Sequence, residues 1–487
     1  MVSSLSGRMS RAVAWTASAR WVVRGIGFVS TLFLARLLSP EDFGIVAIAF
    51  VVISVIDAFS AFDTGTALIN EEEVDNALLN TAWSLTVTRG VLVAVLIGST
   101  SGVIATAYGE PNLQIVLLII SMNTILGSLK NPAMILFNRE LDFHHNFFME
   151  VINKSLSAIA AIAFAFAFRN YLALVAGAVT GTLASVIYSY LMHSFRPRFT
   201  LIRWKAIFAF SSWLTLRSVV SALNWRVDLL VIGAALGAEK LGVYRLGNEL
   251  SAMATFEVTN AMSPILHPSY VAIRSDRPRF LSLFTIALQS IYMMILPLGF
   301  GLALVSDIVV PIVLGEQWLT AIPLVQVIAP SLSVLGIVMT VESALLAEGR
   351  VRLLFQRECI LFAFRMPLLL AGLYLGGLMG VVYARAAYAL ISFGIHALLV
   401  KQVFGLPAIK TISTTWRSWV SVSFMCLLIV VLREESVFDN SMPSVMMLLM
   451  LICGGGVTYI IAHGVLWVLS GRPDGAERRL IQIVKRT

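Results

Sequence analysis

Long apolar runs follow one another from one end of the sequence to the other, and this recurrence constrains the fold more than any motif does. A run of about 18 or more apolar residues with few charges reads as a helix that crosses a bilayer. Barrel strands fit poorly, because they alternate apolar and polar residues over roughly 10 positions, whereas these runs are continuous. Composition agrees. Only 13% of the residues are charged, against about 25% in soluble domains, so most of the surface must meet something other than water. The reading is an all-α polytopic membrane protein.

Fourteen spans are expected, at roughly 12–35, 44–67, 79–107, 113–136, 147–168, 171–193, 207–235, 242–267, 281–313, 321–346, 359–376, 379–400, 417–432 and 444–469. Connections are short, which favours antiparallel neighbours, and no gap is long enough for a soluble domain. The "ASA" at 17–19 resembles a signal-peptide cleavage site. The apolar segment before it is shorter than the about 7–15 residues such a signal needs, so the first span is expected to be retained.

Lys and Arg set the orientation. With the N-terminus placed in the cytoplasm, 22 of the 35 basic residues fall on cytoplasmic segments and 4 on outer ones. An even span count with both termini cytoplasmic follows. The acidic loop "NEEEVDN", 70–76, lies on the cytoplasmic side, but acidic residues weigh little in the rule. A net charge of +8 is thereby placed against anionic lipid rather than nucleic acid, and the basic, amphipathic tail "AERRLIQIVKRT" is expected at the membrane interface.

Two polar corners echo each other. "ARLLSPEDFG", 35–44, and "AALGAEKLGVY", 234–244, share Leu38 and Leu236, Glu41 and Glu239, and Gly44 and Gly242, each second member 198 positions after the first. Six spans separate the corners, so both lie on the outer face and both halves run the same way. That is a parallel repeat about an axis along the membrane normal. The expected architecture is two parallel six-helix lobes, 1–195 and 196–402, around a central cavity. Two peripheral spans and a basic tail, 403–487, complete it.

Nine basic residues fall inside spans: Arg20, Arg24, Arg89, Lys154, Arg217, Arg226, Arg245, Arg365 and Arg385. Each costs about 2.5–3.5 kcal/mol at mid-helix on insertion scales, so each needs a reason. Lys154 is close enough to the inner interface to snorkel. Arg245 has Glu249 one turn on, a spacing that suits a local pair. Thr16, Arg20, Arg24, Gly27 and Thr31 share one face of the first span, with Arg24 near mid-membrane. Arg217, Ser221, Asn224 and Asp228 share one face of the seventh, and Arg226 points away from that stripe. The stripes are expected to face a wet cavity, with Arg24, Arg20, Arg217 and Asn224 as substrate contacts and Asp57 or Asp228 as the group binding a coupling ion. The alternative is that these charges pair between helices, with Asp57, Asp63, Glu257 and Glu342 as partners. A planar, permanently charged guanidinium binds phosphate bidentately, so deep arginines favour an anionic cargo.

The remaining chemistry is negative. There is no Walker loop or dinucleotide fingerprint and no nucleophile elbow, so no enzyme activity and no cofactor are expected. His144 and His145 are adjacent, a poor spacing for a metal, and are read as solvated. Cys359, Cys426 and Cys453 lie in apolar runs and are read as small buried hydrophobes.

"LARLLSPEDFGIVAIA", 34–49, resembles the N-terminal signature of bacterial polysaccharide exporters, the lipid-linked oligosaccharide flippases of the multidrug/oligosaccharidyl-lipid/polysaccharide superfamily. "RVDLLVIGAALGAEKLGVYRLG", 226–247, resembles their second-half signature, with Asp228, Ile232, Gly233, Gly237, Leu241, Gly242 and Tyr244 in place. The resemblance implies a multi-pass protein of the bacterial inner membrane. It implies a cargo of undecaprenyl-pyrophosphate-linked glycan, moved to the outer leaflet for exopolysaccharide, capsule or O-antigen synthesis, and partners among membrane lipids, polysaccharide polymerase and export machinery. A cation or drug antiporter of the same superfamily and a non-transporting scaffold of an export complex are the alternatives.

Overall fold

The structure is a computed structural model. It describes residues 2–60, 68, 74–140, 142–434 and 443–479; for 2–14, 16–17, 205–218, 221–222, 256–257, 260–261, 263–265, 408 and 412 it describes the main chain only. All regular elements among the described residues are helical. Contacts divide the chain into two compact units, Met1–Arg245 and Leu246–Thr487.

The first unit contains α1 (Val2–Leu37), α2 (Pro40–Ser60), α3 (Asn76–Tyr108), α4 (Pro111–Ser128), α5 (Met134–Arg139), α6 (His144–Phe168), α7 (Leu172–Met192) and the first part of α8 (Trp204–Ala272). The second contains the rest of α8, then α9 (Arg277–Val313), a 3-10 turn (Glu316–Ala321), α10 (Ile322–Val334), α11 (Gly336–Ala347), α12 (Val351–Phe404), α13 (Ala408–Ser413), α14 (Trp416–Glu434) and α15 (Ser444–Leu469). Ten stretches of the described residues are long and apolar enough to cross a membrane. Their outer faces are apolar. On α3, Leu92, Val95, Leu96 and Val103 are all exposed and share one helical face, a surface suited to lipid.

Two helices bend where the sequence expects a boundary between spans. In α8 the break is at Gly237, with φ 83° and ψ 175°. In α12 it is at Gly376 and Gly377, the latter with φ 55° and ψ −132°. Positive φ is open to glycine because it has no Cβ.

The first corner is built by local chemistry. Ser39 precedes α2, Pro40 supplies the fixed φ that suits a first helical residue, and Ser39 and Asp42 cap each other. The Ser39 amide donates to Asp42 Oδ2 at 2.9 Å, and the Asp42 amide donates to Ser39 Oγ at 3.2 Å. This is the reciprocal capping box. The acidic loop also has a local use. Asp75 caps α3 by accepting from the Leu78 amide at 2.7 Å and pairs with Arg203 at 3.1 Å. The Leu78 amide, with Arg203 added, holds its carboxyl below the usual range.

Within the second unit, aromatic and branched side chains fill the core: Tyr270, Phe280 and Tyr292 show no exposed surface. The chain after α15 turns back onto this unit. Glu477 accepts from Arg417 Nε at 2.9 Å and from His463 Nε2 at 3.1 Å, and Gln289 accepts from the Ala476 amide at 3.3 Å. Burial pushes the Glu477 carboxyl up; the bond from His463, with Arg417 added, outweighs it and holds the group at about 2.

The cysteines correct an expectation. Cys359 and Cys453 are exposed and only Cys426 is half-buried. A helix in a bilayer hides its apolar side chains in lipid as readily as in protein, so an apolar run does not imply packing inside the chain.

Candidate functional site

The second corner explains its own signature. Tyr244 donates its hydroxyl to Asp228 Oδ2 at 3.0 Å, and both residues are buried. Sixteen residues of straight helix would separate them by about 24 Å, so the bond requires α8 to fold back at Gly237. Ile232 and Leu241 have no exposed surface, and Gly233 leaves room for Tyr108 and Ile48. The hairpin then meets the first corner. A Cβ on Gly44 would stand 1.7 Å from the Ala238 carbonyl oxygen, and a Cβ on Gly242 would stand 1.8 Å from that of Pro40. Glu110, between α3 and α4, accepts a hydrogen bond from the Ala238 amide; burial first, then the nearby Glu41 carboxylate, push Glu110 above its ordinary value.

Folding α8 back also returns Arg245 toward Arg226, on the facing limb of the hairpin. Both line a cavity of about 440 Å³ in the first unit, together with Ser54, Asp57, Asn123 and Thr124. Asp57 is engaged there. Arg89 Nη2 donates to Asp57 Oδ1 at 2.9 Å, and Arg89 Nε donates to Ser60 Oγ at 3.1 Å. The lining thus carries two guanidinium groups, Arg226 and Arg245, beside a carboxylate that is bonded to Arg89. A guanidinium is a bidentate donor suited to phosphate or carboxylate groups.

A second cationic surface lies on α1, where Arg24 is half-buried and Arg20 exposed. Gly27, on the same face, admits the Lys154 side chain of α6: a Cβ there would stand 3.0 Å from Lys154 Cε. Lys154 therefore lies along the polar face of α1. Trp15 of α1 packs against the start of α6, its ring 5.0 Å from that of Phe147.

The other expected site residues are distributed as follows. Asn224 and Asp228 are buried on α8. Arg217 lies on the same helix, and its side chain is outside the described residues, as are those of Ser221, Asp63 and Glu257. The structure brings Asp57 together with Arg89, Arg226 and Arg245. The sequence reading set Arg226 aside as off-stripe and Arg245 as locally paired. The missed signal was the consequence of the expected turn: 226 lies 11 residues before Gly237 and 245 lies 8 after it, so the two facing spans carry both arginines to one cavity.

Comparison with known proteins follows the same lines. Residues 33–323 match the family described as polysaccharide biosynthesis protein. The chain belongs to that family. It is similar to the lipopolysaccharide biosynthesis protein WzxC of Escherichia coli (strain K12), 24% identical over 426 residues and 85% of each chain. It is also similar to the succinoglycan biosynthesis transport protein ExoT of Rhizobium meliloti (strain 1021), 23% identical over 98% of this chain and 96% of the relative. Among solved structures, the lipid II flippase MurJ in an inward closed conformation aligns with a TM-score of 0.75 at 17% identity, covering 93% of this chain and 99% of MurJ. An inward-facing multidrug resistance transporter of the MATE family aligns with a TM-score of 0.59 at 14% identity, covering 77% and 94%. These two likenesses concern the fold. The chain is a multi-pass protein of the bacterial inner membrane.

Proposed function

We propose that the protein translocates undecaprenyl-pyrophosphate-linked oligosaccharide repeat units from the cytoplasmic to the outer leaflet, by alternating access, for exopolysaccharide, capsule or O-antigen synthesis. The observation that carries this reading is the lining of the cavity in the first unit, where the guanidinium groups of Arg226 and Arg245 meet polar Ser54, Asn123 and Thr124 and the Asp57 carboxylate is bonded to Arg89. A diphosphate suits guanidinium donors of this kind. Arg24, Arg20, Arg217 and Asn224 are the further substrate contacts in this proposal, and Asp57 or Asp228 is the coupling group. Fourteen crossings, two parallel lobes over 1–195 and 196–402, two extra spans over 403–487 and cytoplasmic termini complete it; the bends at Gly237 and Gly376–Gly377 support counting α8 and α12 as two spans each. Membrane lipids and the polymerase and export machinery are its proposed partners.

The likeness to the MATE transporter keeps a cation antiporter as the competing reading. Leaflet-resolved labelling of lipid-linked sugar, in cells with and without the protein, separates the two. Sugar confined to the inner leaflet in its absence, and restored outside by its expression, supports the flippase. Unchanged sugar distribution with altered sensitivity to organic cations supports the antiporter.

A further inference from the structure

The loop before α6 brings three donor groups together that the sequence spacing does not. One ligand atom from each of Asp142, His144 and His145 lies within 4.8 Å of the others. His144 and His145 are the first two residues of α6. Neither is fully exposed, contrary to the expectation of solvated side chains. Their rings stack with centroids 3.8 Å apart, and Phe137 lies against His145 at 4.1 Å. The Asp142 amide donates to the Phe137 carbonyl at 2.9 Å, which turns its carboxylate back over the helix start, in contact with His144 Nδ1. His145 Nδ1 is buried and has no hydrogen-bond partner. A buried acceptor left unsatisfied is unfavourable, and nothing in the first turn of α6 relieves it.

We propose that Asp142, His144 and His145 bind one divalent transition-metal ion of the zinc class. Two neutral imidazoles and one carboxylate are a donor set that zinc accepts at about 2.0–2.2 Å, with a fourth position left to water. Such an ion needs its donors about 3.3–3.5 Å apart, inside the spread they already have. Imidazole ligands favour zinc and its neighbours over magnesium or calcium, which select oxygen. The ion satisfies His145 Nδ1 and ties the loop after α5 to the first turn of α6. It does so beside Trp15 of α1, whose ring is 6.4 Å from that of His144.

The test uses full-length protein purified in detergent, stripped with a chelator and then titrated with cobalt(II) and zinc(II). The expected result is one ion per chain, with the visible absorption of tetrahedral cobalt displaced by zinc. His145→Ala and the milder Asp142→Asn should each weaken binding by about 10-fold or more. The four remaining histidines of the six in the chain stay in every variant and report adventitious binding. Zinc should raise the melting temperature of the wild type and leave that of His144→Ala/His145→Ala unchanged. Absence of saturable binding by the wild type, or unchanged stoichiometric binding by that double variant, would overturn the proposal.

Discussion

Gly44 lies against the main chain of Ala238, so closely that a Cβ on it would stand 1.7 Å from the Ala238 carbonyl oxygen. The reciprocal contact, Gly242 against Pro40, follows from the first by adding 198 to one residue and subtracting it from the other. The corner is therefore repeated because the two copies are each other's binding surface. A self-complementary contact of this kind contains a local two-fold axis, and it needs glycine on both sides because carbonyl and Cα meet with nothing between them.

Gly44→Ala and Gly242→Ala should each separate the corners. Overpacking a tight contact costs about 1–3 kcal/mol, a modest loss for the fold but a large one for an equilibrium between two conformations. If the contact closes the outer side during alternating access, both variants will accumulate as folded protein and export poorly. Full export per molecule in either variant would show that the corner is only a packing feature.

Glu110 supplies the pH dependence of the same contact. Burial and Glu41 raise its proton affinity in the folded state. A raised carboxyl contributes stability below its unfolded value and loses it as pH rises through the folded value. Acidification should thus favour the closed corner, and Glu110→Gln should mimic that effect at neutral pH by removing the repulsion from Glu41. Export by Glu110→Gln should become less sensitive to pH above the ordinary carboxylate range, where the raised Glu110 of the wild type still titrates. An unaltered pH profile would exclude Glu110 as the titrating group.

The all-helical class, the polar corners and the bend at Gly237 were legible in the sequence because periodicity, glycine and capping residues act locally. The Asp57–Arg89 pair was not, since its members are 32 positions apart on separate helices. The deep-charge pattern offered Asp57 several arginines and gave no rule for choosing among them. Arg226 and Arg245 were misjudged for a related reason. Each was considered on its own helix, whereas the fold makes them neighbours through a hairpin. Asp142 was absent from the metal question because adjacent histidines diverge on a regular helix, and only the loop geometry returns a carboxylate to them.

The Asp57–Arg89 bond makes a separable prediction. Asp57→Asn and Arg89→Gln should each lower the abundance of folded protein, and the double variant should recover part of that loss. Coupling between contacting charges is about 0.5–3 kcal/mol. If Asp57 also binds the coupling ion, the double variant will fold well yet lose its response to the ion gradient. Additive losses in the two single variants would remove the pair as a structural unit.

The link from Glu477 to Arg417 and His463 should hold the end of the chain onto the second unit above acidic pH. A carboxyl whose folded value is depressed gives its full stabilisation above its unfolded value, so this contribution is complete above about 4.5 and fades as pH falls toward about 2. Removing one member of a buried charged pair costs about 3–5 kcal/mol. Glu477→Ala should accordingly melt earlier than the wild type at pH 7, with the gap closing in acid. An equal gap at both pH values would mean that packing, not charge, fixes the end of the chain.

Arg24 carries the most direct prediction about cargo. It is half-buried on α1, on the face that Lys154 crosses at Gly27, and Asp57, one candidate counter-ion, is bonded to Arg89 instead. Two roles remain to be separated. If Arg24 contacts the diphosphate, Arg24→Ala will fold normally and lose export, while Arg24→Lys will recover only part of it, because an ammonium keeps the charge but lacks the bidentate fork. If Arg24 instead holds α1 in place, export will fall only in step with the amount of folded protein, and Lys will serve nearly as well as Arg. The measurement is export per molecule of folded protein. Wild-type export by Arg24→Ala at wild-type abundance would remove Arg24 from the site and leave Arg226 and Arg245 as the groups that meet the anion.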